Sequence, residues 1–286
     1  MQDLNITLVQ SDLVWENKTA NLERFRNKIE SIGKPMDIIV LPEMFNTGFS
    51  MKPEQFSEQE KGPTLKWMQQ QAAEKNSALT GSFMVEEDGN YYNRLFFVEP
   101  NGSFSTYNKR HLFRMGGEDN HFAPGIEDVI INYKGWNIKF LICYDLRFPV
   151  WTKNNHSDGK YDYDLLLIVA NWPAVRSRVW TTLLSARAIE NQVFVIGLNR
   201  VGDDGNGLPH SGNSNVYDPK GLPMSKDVAF DENIESYLLD FSEIADFREK
   251  FTVGLDWDKF SIEKDIVAEK TGDKFSNKKS QSNYDG

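Results

Sequence analysis

The sequence predicts one α/β domain. Short apolar runs, too brief for free-standing helices, recur along the chain, and stretches with apolar residues at helical spacing separate them. No internal repeat or interdomain linker interrupts that alternation. At 286 residues, 40% hydrophobic and 26% charged, the chain has an ordinary globular composition and can bury a sizeable core.

Residues 4–10 alternate, Leu4, Ile6 and Leu8 against Asn5 and Thr7, and read as a first strand. Asn17 or Thr19 is placed to cap a helix whose Leu22, Phe25, Ile29 and Ile32 share a face, up to Gly33-Lys34-Pro35. A second strand, 37–43, halts at Pro42-Glu43, and a Gly- and Pro-punctuated loop, 46–63, leads to a helix over 64–75. Residues 78–85 and 91–98 predict a hairpin turned at Asp88-Gly89-Asn90, followed by an Asn101-Gly102 turn and a strand at 104–107. The loop 108–125 is long for a compact domain, and its Leu112, Phe113 and Phe122 favour an ordered, functional segment. Strands follow at 129–132 and 136–142, then an apolar strand at 163–170 that ends at Asn171-Trp172-Pro173. The spacing of Val179, Leu183, Ala186 and Ile189 predicts a helix over 176–191 with those residues on one face, before a buried strand at 193–198. The Gly-rich stretch 202–212 reads as a surface turn that matches no phosphate-binding loop. Strands at 213–217 and 236–241 and a short helix at 242–251 complete a domain spanning 1–262. Residues 263–286 are polar and charged, and read as a tail that is mobile or packs on a partner subunit.

Charge narrows the function. With 32 basic against 42 acidic residues the net charge is −10, which argues against nucleic acid or an anionic membrane as the main partner. The N-terminus lacks a basic, apolar leader and no apolar run is long enough to span a bilayer, so a cytoplasmic protein is expected. The single cysteine cannot form an internal disulfide, and the four scattered histidines have no ligand spacing for a structural zinc.

That cysteine lies in IKFLICYDLRFP, residues 138–149, where an apolar strand stops and a turn into a short helix begins. Backbone N–H groups and a helix dipole there are expected to favour thiolate over thiol. A lone cysteine at a strand end also fits an inert core residue, so its role rests on its company. Three buried strands end on Glu43, Cys143 and Asn171, and in α/β folds such ends gather at one pocket. None of His111, His121, His156 and His210 is an obvious base, whereas a desolvated Glu43 can take a thiol proton. Lys109 and the backbone N–H of Tyr144 offer a charge and a hydrogen bond for a carbonyl oxygen that becomes negative.

LPEMF (41–45), YNKRHLF (107–113) and ICYDLRFP (142–149), supported by APG (123–125), NWP (171–173) and ARAIENQVFVIGLNR (186–200), resemble the motifs of the nitrilase, or carbon-nitrogen hydrolase, superfamily. The resemblance covers about residues 4–255. It implies a four-layer α-β-β-α sandwich, a Glu-Lys-Cys triad, pairing into homodimers through the helix layer, and hydrolysis of a small-molecule amide without metal or organic cofactor. Carried over, Glu43 is the general base, Lys109 the oxyanion stabiliser and Cys143 the nucleophile. Glu118 then orients Lys109 and the amide nitrogen, its bland alternative being a carboxylate facing water. Phe45 and Trp172 are pocket walls or core aromatics. Arg176 is a candidate for a substrate carboxylate or an exposed helix-start arginine. Asp145 and Arg147 brace the turn behind Cys143 or add to the pocket, and Arg187 with Glu190 forms a structural ion pair. The loop KRHLFRMGGE with CYDLRFP and NWP is most similar to the ω-amidase branch, whose substrates are 2-oxoglutaramate and 2-oxosuccinamate. An aliphatic or N-carbamoyl amidase is the alternative, and a non-catalytic binding protein fits less well with all three triad residues in place.

Overall fold

Strand alternation decides which side chains meet. The N-terminal run forms the strand Leu4–Gln10, parallel to Ile38–Val40 and antiparallel to Asn233–Leu239. Ile38–Val40 pairs with Ala78–Glu87, and a meander continues through Asn90–Val98 and Phe104–Asn108; with the short Glu58–Gln59 this makes a seven-stranded sheet. A five-stranded sheet runs in the order Asn215–Tyr217, Phe194–Asn199, Leu165–Ala170, Trp136–Ile142, Ile130–Tyr133, its three central strands parallel. The computed structural model describes residues 2–262; the predicted tail, 263–286, lies outside them.

On the first sheet Ile38, Val40, Leu95 and Phe97 join the core shared with the second, where Phe97 meets Phe140 at 5.6 Å between ring centroids. Their neighbours Ile39, Phe96 and Val98 face the other way, into a cluster with Phe25 and Ile29 of helix Lys18–Glu30 and Trp67 and Met68 of helix Pro63–Lys75. The central strands Leu165–Ala170 and Phe194–Asn199 of the second sheet are buried on both faces, which is why they read as apolar runs. Helices Ser177–Asn191 and Phe241–Lys250 complete the sheet's cover through Trp180, Leu184, Ala188 and Ile244. The layers follow the expected α-β-β-α order.

Local chemistry sets the boundaries. The Asn17 side chain, rather than Thr19, accepts the Ala20 N–H to cap the first helix. Asp88 and Gly89 both have positive φ, so a two-residue turn closes the hairpin and its strands run longer than predicted. No helix among the described residues is long and apolar enough to cross a membrane.

Two expectations are corrected. Helix Ser177–Asn191 turns Trp180, Leu184, Arg187, Ala188 and Asn191 inward, leaving Val179, Leu183 and Ala186 half-buried and Ile189 55% exposed. Gly197 in the strand beneath decides this, because a Cβ there would lie 2.4 Å from Leu184 and 2.9 Å from Trp180. The 202–212 segment is no mere surface turn: Val201–Asp203 pairs with Pro209–Ser211, and the pair folds back so closely that a Cβ on Gly202 would lie 2.2 Å from the Asp12 carboxylate.

Candidate active site

Four strands deliver the site from their carboxyl ends. Glu43 follows Ile38–Val40, Lys109 follows Phe104–Asn108, Cys143 follows Trp136–Ile142 and Asn171 follows Leu165–Ala170. The chain leaves two of these ends in the left-handed region, at Met44 (φ 45°) and at Cys143 (φ 46°). Non-glycine residues adopt that conformation rarely, and it concentrates at functional sites.

The side chains form one buried network. Lys109 Nζ lies 2.9 Å from Glu43 Oε1 and 2.9 Å from Glu118 Oε2, with all three side chains fully enclosed. Asn93 Nδ2 donates to Glu43 Oε1 at 2.8 Å and to Glu118 Oε1 at 3.3 Å. Phe113 N–H donates to Glu118 Oε2, and Asn171 N–H to Glu43 Oε2 at 2.7 Å. Asn171 Nδ2 also reaches the Glu43 carbonyl oxygen, and the Cys143 thiol lies 3.8 Å from the Asn171 carbonyl oxygen. The three predicted strand ends therefore converge, and Glu118 joins them instead of facing water.

Burial alone would depress the Lys109 ammonium, but the Glu118 and Glu43 carboxylates more than offset it and push its pKa up, so the cation persists. Burial raises the Glu118 carboxyl, and Glu43 adds to the rise while Lys109 opposes it. The Cys143 thiol is pushed well above the ordinary cysteine value by burial and then by Glu43, against the pull of Lys109. This runs against the expectation that the turn favours thiolate over thiol. The turn Cys143–Arg147 is a single 3₁₀ stretch of five residues with little dipole to offer, and its Asp145 carboxylate already takes the Ile142 N–H.

Cys143 and Lys109 open into a pocket with about 490 Å³ of empty space including its mouth. Tyr144 and Trp172 line it. So do Arg147, whose guanidinium lies 4.8 Å over the Trp172 ring, and Arg176, 5.7 Å over the Phe113 ring.

A family model for carbon-nitrogen hydrolases matches residues 5–249. The chain belongs to the carbon-nitrogen hydrolase family. It is 43% identical over 262 residues to omega-amidase YafV of Escherichia coli (strain K12), covering 92% of this chain and 100% of that one. It is 30% identical over 251 residues to 2-oxoglutaramate amidase of Bacillus subtilis (strain 168), covering 87% and 95%. A CN-hydrolase superfamily protein from Xanthomonas campestris, whose crystal structure carries an arsenic adduct in the active site, matches with a TM-score of 0.89 at 39% identity, covering 92% of this chain and 100% of that one. This carbon-nitrogen hydrolase is an enzyme, an amidase by its relatives.

Three readings of the pocket change in this hydrolase. Phe45 does not wall the site. The left-handed turn at Met44 sends it into the outer core, 5.7 Å from Phe25 and 5.8 Å from Trp67 between ring centroids, and Phe49 lines the pocket instead. Arg147 faces the pocket rather than bracing the turn. That bracing falls to Asp145, which takes the Tyr107 hydroxyl and the Ile142 and His111 N–H groups, and to Arg187, which donates to Leu146 O while pairing with Glu190. The Gly-rich segment also reaches the pocket, with Asp204, Leu208 and His210. Burial and then the nearby Arg200 cation lower the His210 pKa to about 4, so its imidazole is neutral near pH 7. Its arrival depends on the Gly202–Asp12 approach, which leaves no local pattern in the sequence. Asn93 did leave one: it occupies the strand face that carries Leu95 and Phe97, where a polar side chain needs a partner.

Proposed function

We propose that this hydrolase is an ω-amidase, releasing ammonia from 2-oxoglutaramate and 2-oxosuccinamate through a thioester on Cys143. The observation that carries the reading is a pocket with the Glu43–Lys109–Cys143 cluster within it and two guanidiniums, Arg147 and Arg176, along its wall. A small amide with a carboxylate at its far end matches that polarity. The names of two relatives above, an omega-amidase and a 2-oxoglutaramate amidase, agree with it.

In this mechanism Glu43 accepts the Cys143 proton as the sulfur attacks the amide carbon, since the resting thiol is protonated. The carbonyl oxygen becomes an oxyanion held by the Lys109 ammonium and the Tyr144 N–H. Glu118 fixes Lys109 and receives the amide nitrogen. Collapse breaks the carbon–nitrogen bond, and Glu43 returns its proton to the leaving ammonia. Glu43 then removes a proton from water, whose oxygen attacks the thioester carbon. Collapse of that second adduct breaks the carbon–sulfur bond, Glu43 returns its proton to the sulfur to restore the thiol, and the product acid leaves as a carboxylate after losing its proton to solvent.

Ammonia release from the two oxo-acid amides, simple aliphatic amides and N-carbamoyl amino acids tests the reading; a preference for either of the last two classes overturns it. Arg176→Ala is expected to raise KM for 2-oxoglutaramate ~10- to 100-fold, the worth of one charge-assisted contact, while leaving a neutral aliphatic amide unaffected. Equal effects on both substrates would remove Arg176 from carboxylate recognition.

The proposal includes a homodimer. Helix Ser177–Asn191 leaves Ile189 exposed beside Gly221, and the neighbouring Leu222 is 61% exposed, which supports an apolar contact on the helix layer. Light scattering should then report about twice the 32.9 kDa chain mass, and a 32.9 kDa species alone would refute the dimer.

A further inference from the structure

We infer that Asn93 is a positioning residue of this amidase, its side-chain amide holding Glu43 and Glu118 in the arrangement that lets Glu43 take the Cys143 proton. The amide is buried at the centre of the network, 2.8 Å from Glu43 Oε1 and 3.3 Å from Glu118 Oε1 through the same nitrogen. Its orientation is forced. Met44 N–H donates to Ser82 Oγ at 2.9 Å, so the Ser82 hydroxyl proton is free to go to Asn93 Oδ1, 2.8 Å away. Oδ1 is therefore the acceptor, and both Nδ2 protons face the two carboxylates.

The chain of donors closes on itself. It starts at the backbone N–H next to Glu43, where Met44 holds its left-handed φ, passes through Ser82 and Asn93, and returns to the Glu43 carboxylate. The Asn93 backbone carbonyl also accepts the Lys109 backbone N–H at 2.9 Å, so one residue ties the base, the second carboxylate and the backbone that carries the cation together. Two carboxylates against one ammonium leave a negative excess, and the Asn93 donor is the neutral group that offsets it without bringing another titratable proton. The titratable groups around that amide are Glu43, Glu118 and Lys109, with Cys143 coupled to all three.

The inference rests on the amidase reading, and its test includes a readout that needs no substrate. In the full-length protein, kcat, KM and melting temperature are measured across pH for Asn93→Ala, Asn93→Asp and Ser82→Ala. The rate of iodoacetamide alkylation, which reports on the chain's sole cysteine, is followed alongside. Asn93→Ala is expected to lower kcat and the alkylation rate ~10- to 100-fold with little change in KM, the fold-change of one lost hydrogen bond to a charged group. Asn93→Asp is expected to be most active in acid, where its carboxyl is protonated and donates as the amide did, and to fail as pH rises and a third carboxylate ionises beside the other two.

A structural role alone would lower the melting temperature and leave the pH profiles of activity and alkylation where they are in the parent. That result, or an Asn93→Ala protein within twofold of the parent in both rates, overturns the inference. Should neither Asn93 variant fold, Ser82→Ala decides, because it frees the amide to flip: a fall of ~10-fold in both rates supports the inference and unchanged rates overturn it. If the parent releases no ammonia from any amide, the amidase reading fails, and the alkylation profiles still decide the role of Asn93.

Discussion

Cys143→Ala is expected to fold as the parent does and to release ammonia at least ~10⁴-fold more slowly, because in the proposed mechanism it deletes the covalent nucleophile and so removes the path and not merely one contact. No other thiol exists in the chain to take over. The fold should survive because, among the described residues, the Cys143 thiol makes a single long hydrogen bond, to the Asn171 carbonyl, and the core around it is held by Ile142 and Leu146. Its φ of 46° adds a second expectation. An alanine there keeps the left-handed strain and a glycine does not, so Cys143→Gly should be as inactive as Cys143→Ala but more stable by about 1 kcal/mol, less the Cβ packing it gives up. Circular dichroism, melting temperature and ammonia release on the three proteins check both points. Appreciable turnover by a folded Cys143→Ala protein would end the thioester mechanism.

The same residue shows where the sequence was legible and where it was not. Strands buried on both faces read as apolar runs, so their ends, and with them Glu43, Cys143 and Asn171, could be placed by inspection. Which way the chain turns after such an end depends on φ, and φ is not written in the residue type. Met44 leaves its strand left-handed, which sends Phe45 to the outer core and brings Phe49 to the pocket. Thiol acidity was misjudged for a related reason. The sequence announces the turn after Cys143 but not the full burial of the thiol, nor the carboxylates that fold in from residues 43 and 118, and together these outweigh a five-residue turn. Helix faces suffered likewise: Ile189 and Ala188 both have apolar neighbours one turn away, and Gly197 on another strand selects between them.

Lys109→Met is expected to cost both activity and stability, and the stability loss should depend on pH with a definite sign. In the proposed mechanism, removing the ammonium takes away the charge that faces the oxyanion, a loss of ~10²- to 10³-fold in kcat by comparison with other oxyanion donors. It also strands two buried carboxylates, 0% exposed to solvent, whose remaining donors among the described residues are Asn93, Asn171 and Phe113. Breaking a buried pair in this way costs about 3–5 kcal/mol when the remaining charge must stay ionised. Glu118 is already raised by burial with Lys109 in place, and without the lysine it rises further. A carboxyl held above its unfolded value keeps a proton that the unfolded chain has released, so stability falls as pH climbs from the ordinary carboxylate range through the raised value. The deficit relative to the parent should therefore grow with pH, smaller near pH 5 than near pH 8, because Glu118 is the carboxyl held above its ordinary value. Thermal melts of the two proteins at both values test this; equal deficits would mean that methionine's fit, rather than stranded charge, sets the cost, and full activity in the variant would remove Lys109 from the proposed chemistry.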